Sequence, residues 1–188
     1  CTYSGLVKAH VAAEKLKIKL IVGAEFSFKA ESQSVDTDEK LILLAPTRSA
    51  YGQLSAFIST LRRRSNKGRY DAWLNDFSFG LKDCIALWVP SQQAIDLQIA
   101  LGNQVKAALP KLWLALELFH DGHDLDKTAH ILTLSSRLQL PIAAANNVHT
   151  HIRERQPLQD ILTAIRHKTT LNELGHQAFN NSERTLRS

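Results

Sequence analysis

The sequence contains no methionine and only two cysteines, at positions 1 and 84. Because a natural translation product begins with methionine, the initial Cys1 indicates that upstream sequence has been removed, with a processed mature chain as the alternative. Two widely separated cysteines argue against a disulfide framework and favour free thiols in a reducing, cytoplasmic compartment. Cys84 lies in an apolar run and is interpreted as a small buried hydrophobic residue.

Long apolar runs and the common catalytic motifs are also missing. No stretch reaches the roughly 18 apolar residues that span a bilayer, and no signal-peptide pattern opens the chain, so no membrane partner is expected. The sequence has no P-loop, no GxGxxG and no GxSxG. No serine or cysteine has an obvious base partner, so any chemistry would most readily be metal-assisted hydrolysis of a phosphoester.

What is present is an ordinary globular composition with an excess of positive charge. Hydrophobic residues make up 44% and charged residues 22% of the 188, enough to bury a core without disulfides or a structural metal. The net charge of +5 is partly local. A cluster that can bind phosphate backbones is formed by Arg62, Arg63, Arg64, Lys67 and Arg69. The favoured alternative is a solvated helix end, where cations complement the helix dipole.

The spacing of apolar residues predicts alternating helices and strands. Helices are predicted at 6–16, 51–63, 90–109, 124–138 and 157–168, and strands at 18–28, 40–45, 84–89, 111–119 and 140–146. The stretches 30–39 and 147–156 are predicted loops, 65–83 is irregular, and 171–188 is a polar tail. Alternating strands and helices imply an α/β fold with a parallel sheet or barrel. The near-continuous apolar strands fit a sheet that is covered on both faces.

Polar side chains follow several predicted strands, where parallel α/β folds gather functional residues. His149 and His151 have i, i+2 spacing, which places both rings on one side of an extended segment. Zinc, manganese and iron accept imidazole nitrogen with carboxylate oxygen, which Glu25 and Asp121 could supply. Two histidines in a polar loop are, however, more often exposed or hydrogen-bonded than ligands. Glu25 needs a partner, a metal or a proton if it is buried, or it lies in water at the strand end.

Several segments, in order, resemble the PHP (polymerase and histidinol phosphatase) domain of bacterial C-family DNA polymerases. AHVAAEKLKIKLIVGAEFSF resembles a helix leading into a strand that ends in Gly-x-Glu, and LILLAPTRSAYGQLSAFIS resembles the following strand, turn and helix. LPIAAANNVHTHIRERQPLQDILTAIRHKTTL resembles the last metal-binding motif. Its RxRxPLQDxLTAIR and the ending GHQAFNNSERTLRS are similar to the error-prone branch, related to the alpha subunit of DNA polymerase III. The resemblance covers nearly the whole chain.

This resemblance implies a distorted TIM-like βα barrel over 1–170 that lacks its first strands, and a tail, 171–188, connecting to the polymerase modules. The missing strands would carry His-x-His and Thr-Asp upstream of Cys1. The parent enzyme would be a translesion-type nucleotidyltransferase active in DNA replication and repair of DNA damage. Its partners would be DNA, deoxynucleoside triphosphates and other mutagenesis or replication proteins. It would use Mg, and its catalytic carboxylates would lie downstream, so no catalytic residue is expected in this chain.

The family's metal ligands match this chain only in part. The resemblance aligns Glu25 with the Gly-x-Glu ligand and His149 with the final histidine. Lys40 falls where metal-binding relatives often have histidine, and Asn147 takes the place of the usual aspartate. Asp121, within ELFHDG, takes a histidine position.

The uncharged Asn147 amide coordinates weakly, whereas two cations about 3.5–4 Å apart need anionic ligands to offset their repulsion. The resemblance therefore implies a degenerate site, at which Zn or Mn binds only if the ligands are partly retained. His151 and the histidine neighbouring Asp121, His120, have no assigned role.

Three functions follow from these patterns, in order of preference. The first is a non-catalytic scaffold that packs against the polymerase core. The second is an active metal-dependent phosphoesterase, such as a proofreading 3'–5' exonuclease or a pyrophosphatase. The third is a basic module that uses the cations of 62–69 to bind nucleic acid or a partner protein.

Overall fold

The computed structural model describes residues 2–30 and 39–187. Most of the predicted loop at 30–39 therefore lies outside the described residues. The chain forms two compact units. Unit 1 comprises Cys1–Ala115 and Leu132–Ala143, and unit 2 comprises Leu116–Ile131 and Ala144–Ser188. No helix within the described ranges is long and apolar enough to cross a membrane.

All five predicted helices and all five predicted strands are present, with shifted ends. The helices are α1 (Leu6–Leu16), α2 (Arg48–Arg64), α3 (Ile95–Ala108), α4 (Asp124–Leu138) and α5 (Gln156–His167). The strands are β1 (Val22–Phe28), β2 (Glu39–Ala45), β3 (Ile85–Val89), β4 (Leu112–Glu117) and β5 (Ile142–Ala145). Helix α3 begins later than predicted because Ser91 donates its N–H and hydroxyl to the Glu39 carboxylate instead of entering the helix.

The five strands form one mixed sheet in the order β1-β2-β3-β4-β5. Strand β2 pairs antiparallel with both β1 and β3, and β3 pairs parallel with β4. The expectation of a purely parallel sheet is therefore wrong for the first three strands. Only ten residues separate the ends of β1 and β2, which is too few for the crossover of roughly a dozen or more residues that a parallel pair needs.

The core of unit 1 lies against one face of this sheet. Phe26, Leu41 and Leu43 are fully buried, while the residues between them on β1 and β2 are half-buried or exposed. Phe57 and Phe77 each meet the Phe26 ring edge-on, and their own two rings meet at a tilt. The sheet is thus fully covered on one face and only partly on the other, unlike the two-sided coverage that the apolar strands predicted.

Cys84 is buried in unit 1, as predicted. Its thiol lies 3.6 Å from the carbonyl oxygen of Ala50. Burial raises the pKa of the Cys84 thiol, and the side chain forms no disulfide. A buried, protonated thiol of this kind is chemically inert.

Unit 2 is held together by its C-terminal segment. Arg184 O accepts hydrogen bonds from His149 N and Thr150 N, and Leu186 N donates to Thr150 O. The side chain of Asn181 donates to the carbonyl oxygen of Phe119 at 2.7 Å. The predicted polar tail therefore contributes ordered backbone pairing to this unit through Arg184 and Leu186, although its sequence has no strand pattern.

Candidate functional site

The first candidate ligand, Glu25, lies in the middle of β1 on the partly covered face of the sheet. Its carboxylate is 3.6 Å from the Lys40 ammonium, and the two side chains are 44% and 39% exposed. The register explains the pairing, because Lys40 lies opposite Ser27, two residues from Glu25 on the same face. Glu25 is thus neither buried nor at the strand end, and its partner is a cation of the neighbouring strand.

The glycine of the Gly-x-Glu motif has a packing role. A Cβ atom on Gly23 would lie 2.8 Å from Leu44 Cδ2 and 2.9 Å from the carbonyl oxygen of Leu43. Both distances are too short for real contacts, so β1 approaches β2 this closely only because position 23 has no side chain. The motif is therefore explained in part by strand packing.

The second carboxylate, Asp121, lies in unit 2 after β4. Lys127 donates to its Oδ2 at 2.8 Å, and the backbone N–H of His123 donates to its Oδ1 at 3.1 Å. The hydrogen bond from the Lys127 ammonium lowers the pKa of the Asp121 carboxyl below its ordinary value. Both oxygens of this carboxylate therefore already have a donor. The neighbouring His120 donates its backbone N–H to Asp124 Oδ2 at 2.9 Å, and its Nδ1 lies 3.9 Å from the same oxygen.

The loop after β5 carries Asn147, His149 and His151. Asn147 has φ 41°, in the left-handed region that asparagine tolerates better than most residues. The exposed His149 ring meets Phe179 edge-on, with ring centroids 4.7 Å apart. His151 lines a cleft of about 600 Å³ together with Arg153 and other polar residues of unit 2. The two histidines of the His-x-His pattern therefore have different surroundings.

The candidate ligands divide between the two units. Glu25 belongs to unit 1, whereas Asp121, Asn147 and His149 belong to unit 2. Across residues 2–30 and 39–187, no three His, Cys, Asp or Glu side chains are grouped closely enough to hold a metal ion. Both candidate carboxylates have a lysine as partner.

The aromatic and cationic side chains around His149 were not found from the sequence. The Arg184 guanidinium lies 3.8 Å from the centroid of the Phe119 ring and 4.5 Å from that of Phe179. Glu183 forms ion pairs with Arg153 at 2.9 Å and with Arg187 at 3.6 Å. These residues lie in the tail and around the loop, where no periodic pattern marks them, so sequence reasoning had no signal for them.

The basic cluster lies at the C-terminal end of α2, where cations complement the helix dipole. Arg64 donates to Asp76 Oδ1 at 2.6 Å and to the carbonyl oxygen of Asp71, and its guanidinium lowers the pKa of the Asp76 carboxyl. Arg64 therefore helps to fix the segment after the helix. Arg63 and Lys67 are exposed as well.

A groove of about 310 Å³ lies beside this cluster and is lined by 27–29 and 70–73. Its aromatic residues are Phe28, which is buried, and Tyr70 and Trp73. The Arg62 guanidinium is 5.5 Å from the centroid of the Tyr70 ring. In the sequence, Tyr70 and Trp73 directly follow the run of cations. This combination is typical of surfaces that bind nucleic acid and could have indicated the groove.

The whole chain aligns with error-prone DNA polymerases from several bacteria. It is 42% identical over 189 residues to that of Methylococcus capsulatus, 40% over 194 to that of Dechloromonas aromatica and 35% over 187 to that of Saccharophagus degradans. Each alignment covers 100% of this chain but only 17% of the first relative and 18% of the other two. No family model matches the sequence. The resemblance to error-prone DNA polymerases is thus confirmed, and the chain spans less than a fifth of their length.

Proposed function

From the full-chain similarity to error-prone DNA polymerases, we propose that this chain is a non-catalytic PHP-type scaffold within such a polymerase. The parent enzyme would add nucleotides to DNA past lesions, in the cytoplasm, with DNA and deoxynucleoside triphosphates as substrates. Its Mg-binding carboxylates would lie outside these 188 residues. The mixed α/β sheet would correspond to part of a PHP-type barrel.

The observation that carries this proposal is that each candidate carboxylate has a lysine as its ion-pair partner. Lys40 lies 3.6 Å from Glu25, and Lys127 lies 2.8 Å from Asp121. Two unit charges 4 Å apart interact by about 1 kcal/mol in water and about 4 kcal/mol near a protein surface. A divalent ion facing an ammonium at that distance would meet about twice this repulsion. Each lysine therefore neutralises a carboxylate and opposes a metal at the same place.

The ligand positions in unit 2 support the same proposal. Asn147 has no negative charge to offer, and the ring of His149 packs on Phe179. A pair of catalytic cations would need anionic oxygen between them to offset their mutual repulsion. An active phosphoesterase at these positions would therefore need ligands that the aligned residues do not supply.

An exposed apolar stripe supports a scaffolding role. On α5, Leu158, Ile161, Leu162 and Ile165 follow i, i+3, i+4, i+7 spacing, and all four are exposed. A stripe with this spacing is typical of a helix face that packs against another element. We propose that the remainder of the polymerase covers this face.

The test compares the 188-residue chain with its Asn147→Asp variant in Mn²⁺-dependent hydrolysis of bis(p-nitrophenyl) phosphate and of single-stranded DNA from its 3' end. We expect no hydrolysis by either protein, because the lysine partners remain after the aspartate is restored. Circular dichroism of both proteins controls for folding. Hydrolysis that appears on Asn147→Asp and disappears on a further His149→Ala change would overturn the scaffold proposal in favour of the phosphoesterase.

A further inference from the structure

We propose that the groove lined by 27–29 and 70–73 binds single-stranded nucleic acid, with Trp73 as the stacking platform and the exposed cations at the end of α2 as phosphate contacts. We call this surface the Tyr70–Trp73 groove. It lies entirely within unit 1, and none of the candidate metal ligands lines it. The inference therefore goes beyond the scaffold function and can fail without it.

Backbone hydrogen bonds hold the groove in shape. Lys29 N donates to Ala72 O at 3.0 Å, and Leu74 N donates to Lys29 O at 3.0 Å, so the segment carrying Trp73 continues the edge of β1 as a parallel bridge. On the other wall, Ser27 N donates to the hydroxyl oxygen of Tyr70 at 2.8 Å. Tyr70, through its hydroxyl, and Trp73, through the backbone on either side of it, are thus positioned before any ligand binds.

Trp73 is the aromatic residue available for stacking. The residue is 42% exposed, and its backbone N–H donates to Asp76 Oδ2 at 2.7 Å. Tryptophan side chains are normally mostly buried. An exposed tryptophan on a fixed backbone loses little conformational entropy when it binds a planar group. Base–aromatic stacking tolerates any base sequence, because every base has a flat face.

The charges around the groove fit an anionic backbone. Arg62 lies over the Tyr70 ring, and Arg63, Lys67 and Arg69, which are close to it in sequence, are exposed. Because Asp76 is already paired with Arg64, it does not cancel these charges. The Asp71 carboxylate, which also lines the groove, is outnumbered by the neighbouring cations.

The size of the groove favours a single strand over a duplex. Its volume of about 310 Å³ is at the lower end of the roughly 300–1,000 Å³ that is usual for small-ligand pockets. One unstacked base with its phosphate matches this scale, whereas paired and stacked bases hide their faces from Trp73. Single-strand surfaces combine such an aromatic platform with a basic track.

The first measurement is fluorescence anisotropy of labelled oligo(dT) with the 188-residue chain, beside oligo(U) and a DNA duplex of the same length. We expect single strands to bind more tightly than the duplex, and the oligo(U) arm shows whether DNA or RNA is preferred. Trp73→Ala should weaken binding by roughly tenfold, as expected for the loss of one stacked base. The matched control is Phe79→Ala, another exposed aromatic of unit 1 outside the groove, which should leave the affinity unchanged.

The second measurement separates stacking from charge. In the variant with Arg63→Ala and Lys67→Ala, the slope of log affinity against log salt should become shallower by about 1.4, since each single-strand phosphate contact contributes about 0.7. Arg48→Ala, at the other end of the same helix, is the matched control and should keep the original slope. The proposal would be overturned if the chain bound duplex and single strand with equal affinity, or if Trp73→Ala left the affinity unchanged. It would also be overturned if polyglutamate competed with labelled oligo(dT) as well as unlabelled oligo(dT) does.

Discussion

Two glutamates on neighbouring strands of the sheet have opposite environments. Glu39, at the start of β2, is fully buried and accepts hydrogen bonds from Trp88 Nε1 at 3.1 Å, Ser91 Oγ at 2.6 Å and Gln98 Nε2 at 2.8 Å. Glu25, on β1, is 44% exposed and has Lys40 as its ion-pair partner. The glutamate that resembles a family ligand is therefore the one on which the fold depends less.

The difference between the two follows from desolvation. A carboxylate removed from water must recover its lost hydration through hydrogen bonds, or its burial costs several kcal/mol. Glu39 recovers it from neutral donors on β3, on α3 and at Ser91 before α3. Glu25 keeps much of its hydration and needs only a surface ion pair, which typically contributes about 0–1 kcal/mol. Burial, and not resemblance to a motif, thus decides which carboxylate the structure requires.

The largest predicted effect is that of Glu39→Gln on stability. The new amide has nearly the same volume, but one acceptor oxygen becomes an NH₂ donor that faces other donors. We expect the free energy of unfolding to fall by about 2–3 kcal/mol, which is typical when a buried hydrogen bond to a charged group is lost. Urea denaturation followed by circular dichroism measures this change.

Glu25→Gln is the matched control, because it makes the same chemical change one strand away. It should change the free energy of unfolding by no more than about 0.5 kcal/mol, as is usual for surface substitutions. If the two substitutions had equal effects, the contrast between the buried network and the surface ion pair would be wrong.

An intermediate effect is predicted for Lys127→Met, which removes the ammonium from Asp121. The Lys127 and Asp121 side chains are 22% and 16% exposed. We expect the free energy of unfolding to fall by about 1 kcal/mol near neutral pH, a value between the contributions of exposed and of buried ion pairs. Methionine keeps the length and the apolar stem of lysine, so the change mainly reports the charge.

The pH dependence of this loss identifies its cause. The folded-state pKa of Asp121 is lowered from the ordinary value of 3.8. The ion pair's contribution to stability is therefore fully present above that value and disappears as the pH falls through the folded-state pKa. The difference between wild type and Lys127→Met should therefore shrink as the pH is lowered below the ordinary aspartate value. A difference that stays constant through this range would assign the loss to packing and not to the ion pair.

Much of the local structure was predictable, because the spacing of apolar residues reports which side of each element is buried. The pairing of the strands was not, since periodicity carries no information on which strand is the neighbour or how it runs. The network of Glu39 was missed for the same reason, because its donors Trp88, Ser91 and Gln98 lie far away in sequence. Neither the resemblance nor the spacing marked Glu39 as special.

The candidate site was predictable only as far as the resemblance reached. Glu25, Asp121 and His149 were identified by alignment with a family motif, and Lys40 was recognised as an opposing charge. Lys127 was missed, because its contact with Asp121 depends on the turn between β4 and α4. Composition and periodicity alone do not show which cation reaches which carboxylate.

The central claim, that lysines have replaced metal ions at these carboxylates, is tested most directly by titrating the 188-residue chain with Mn²⁺ and following free Mn²⁺ by electron paramagnetic resonance. The predicted result is that no stoichiometric site fills, and that Glu25→Gln and His149→Ala give the same curve as wild type. Saturable binding of one or more Mn²⁺ per chain that is lost in Glu25→Gln or His149→Ala would contradict the account.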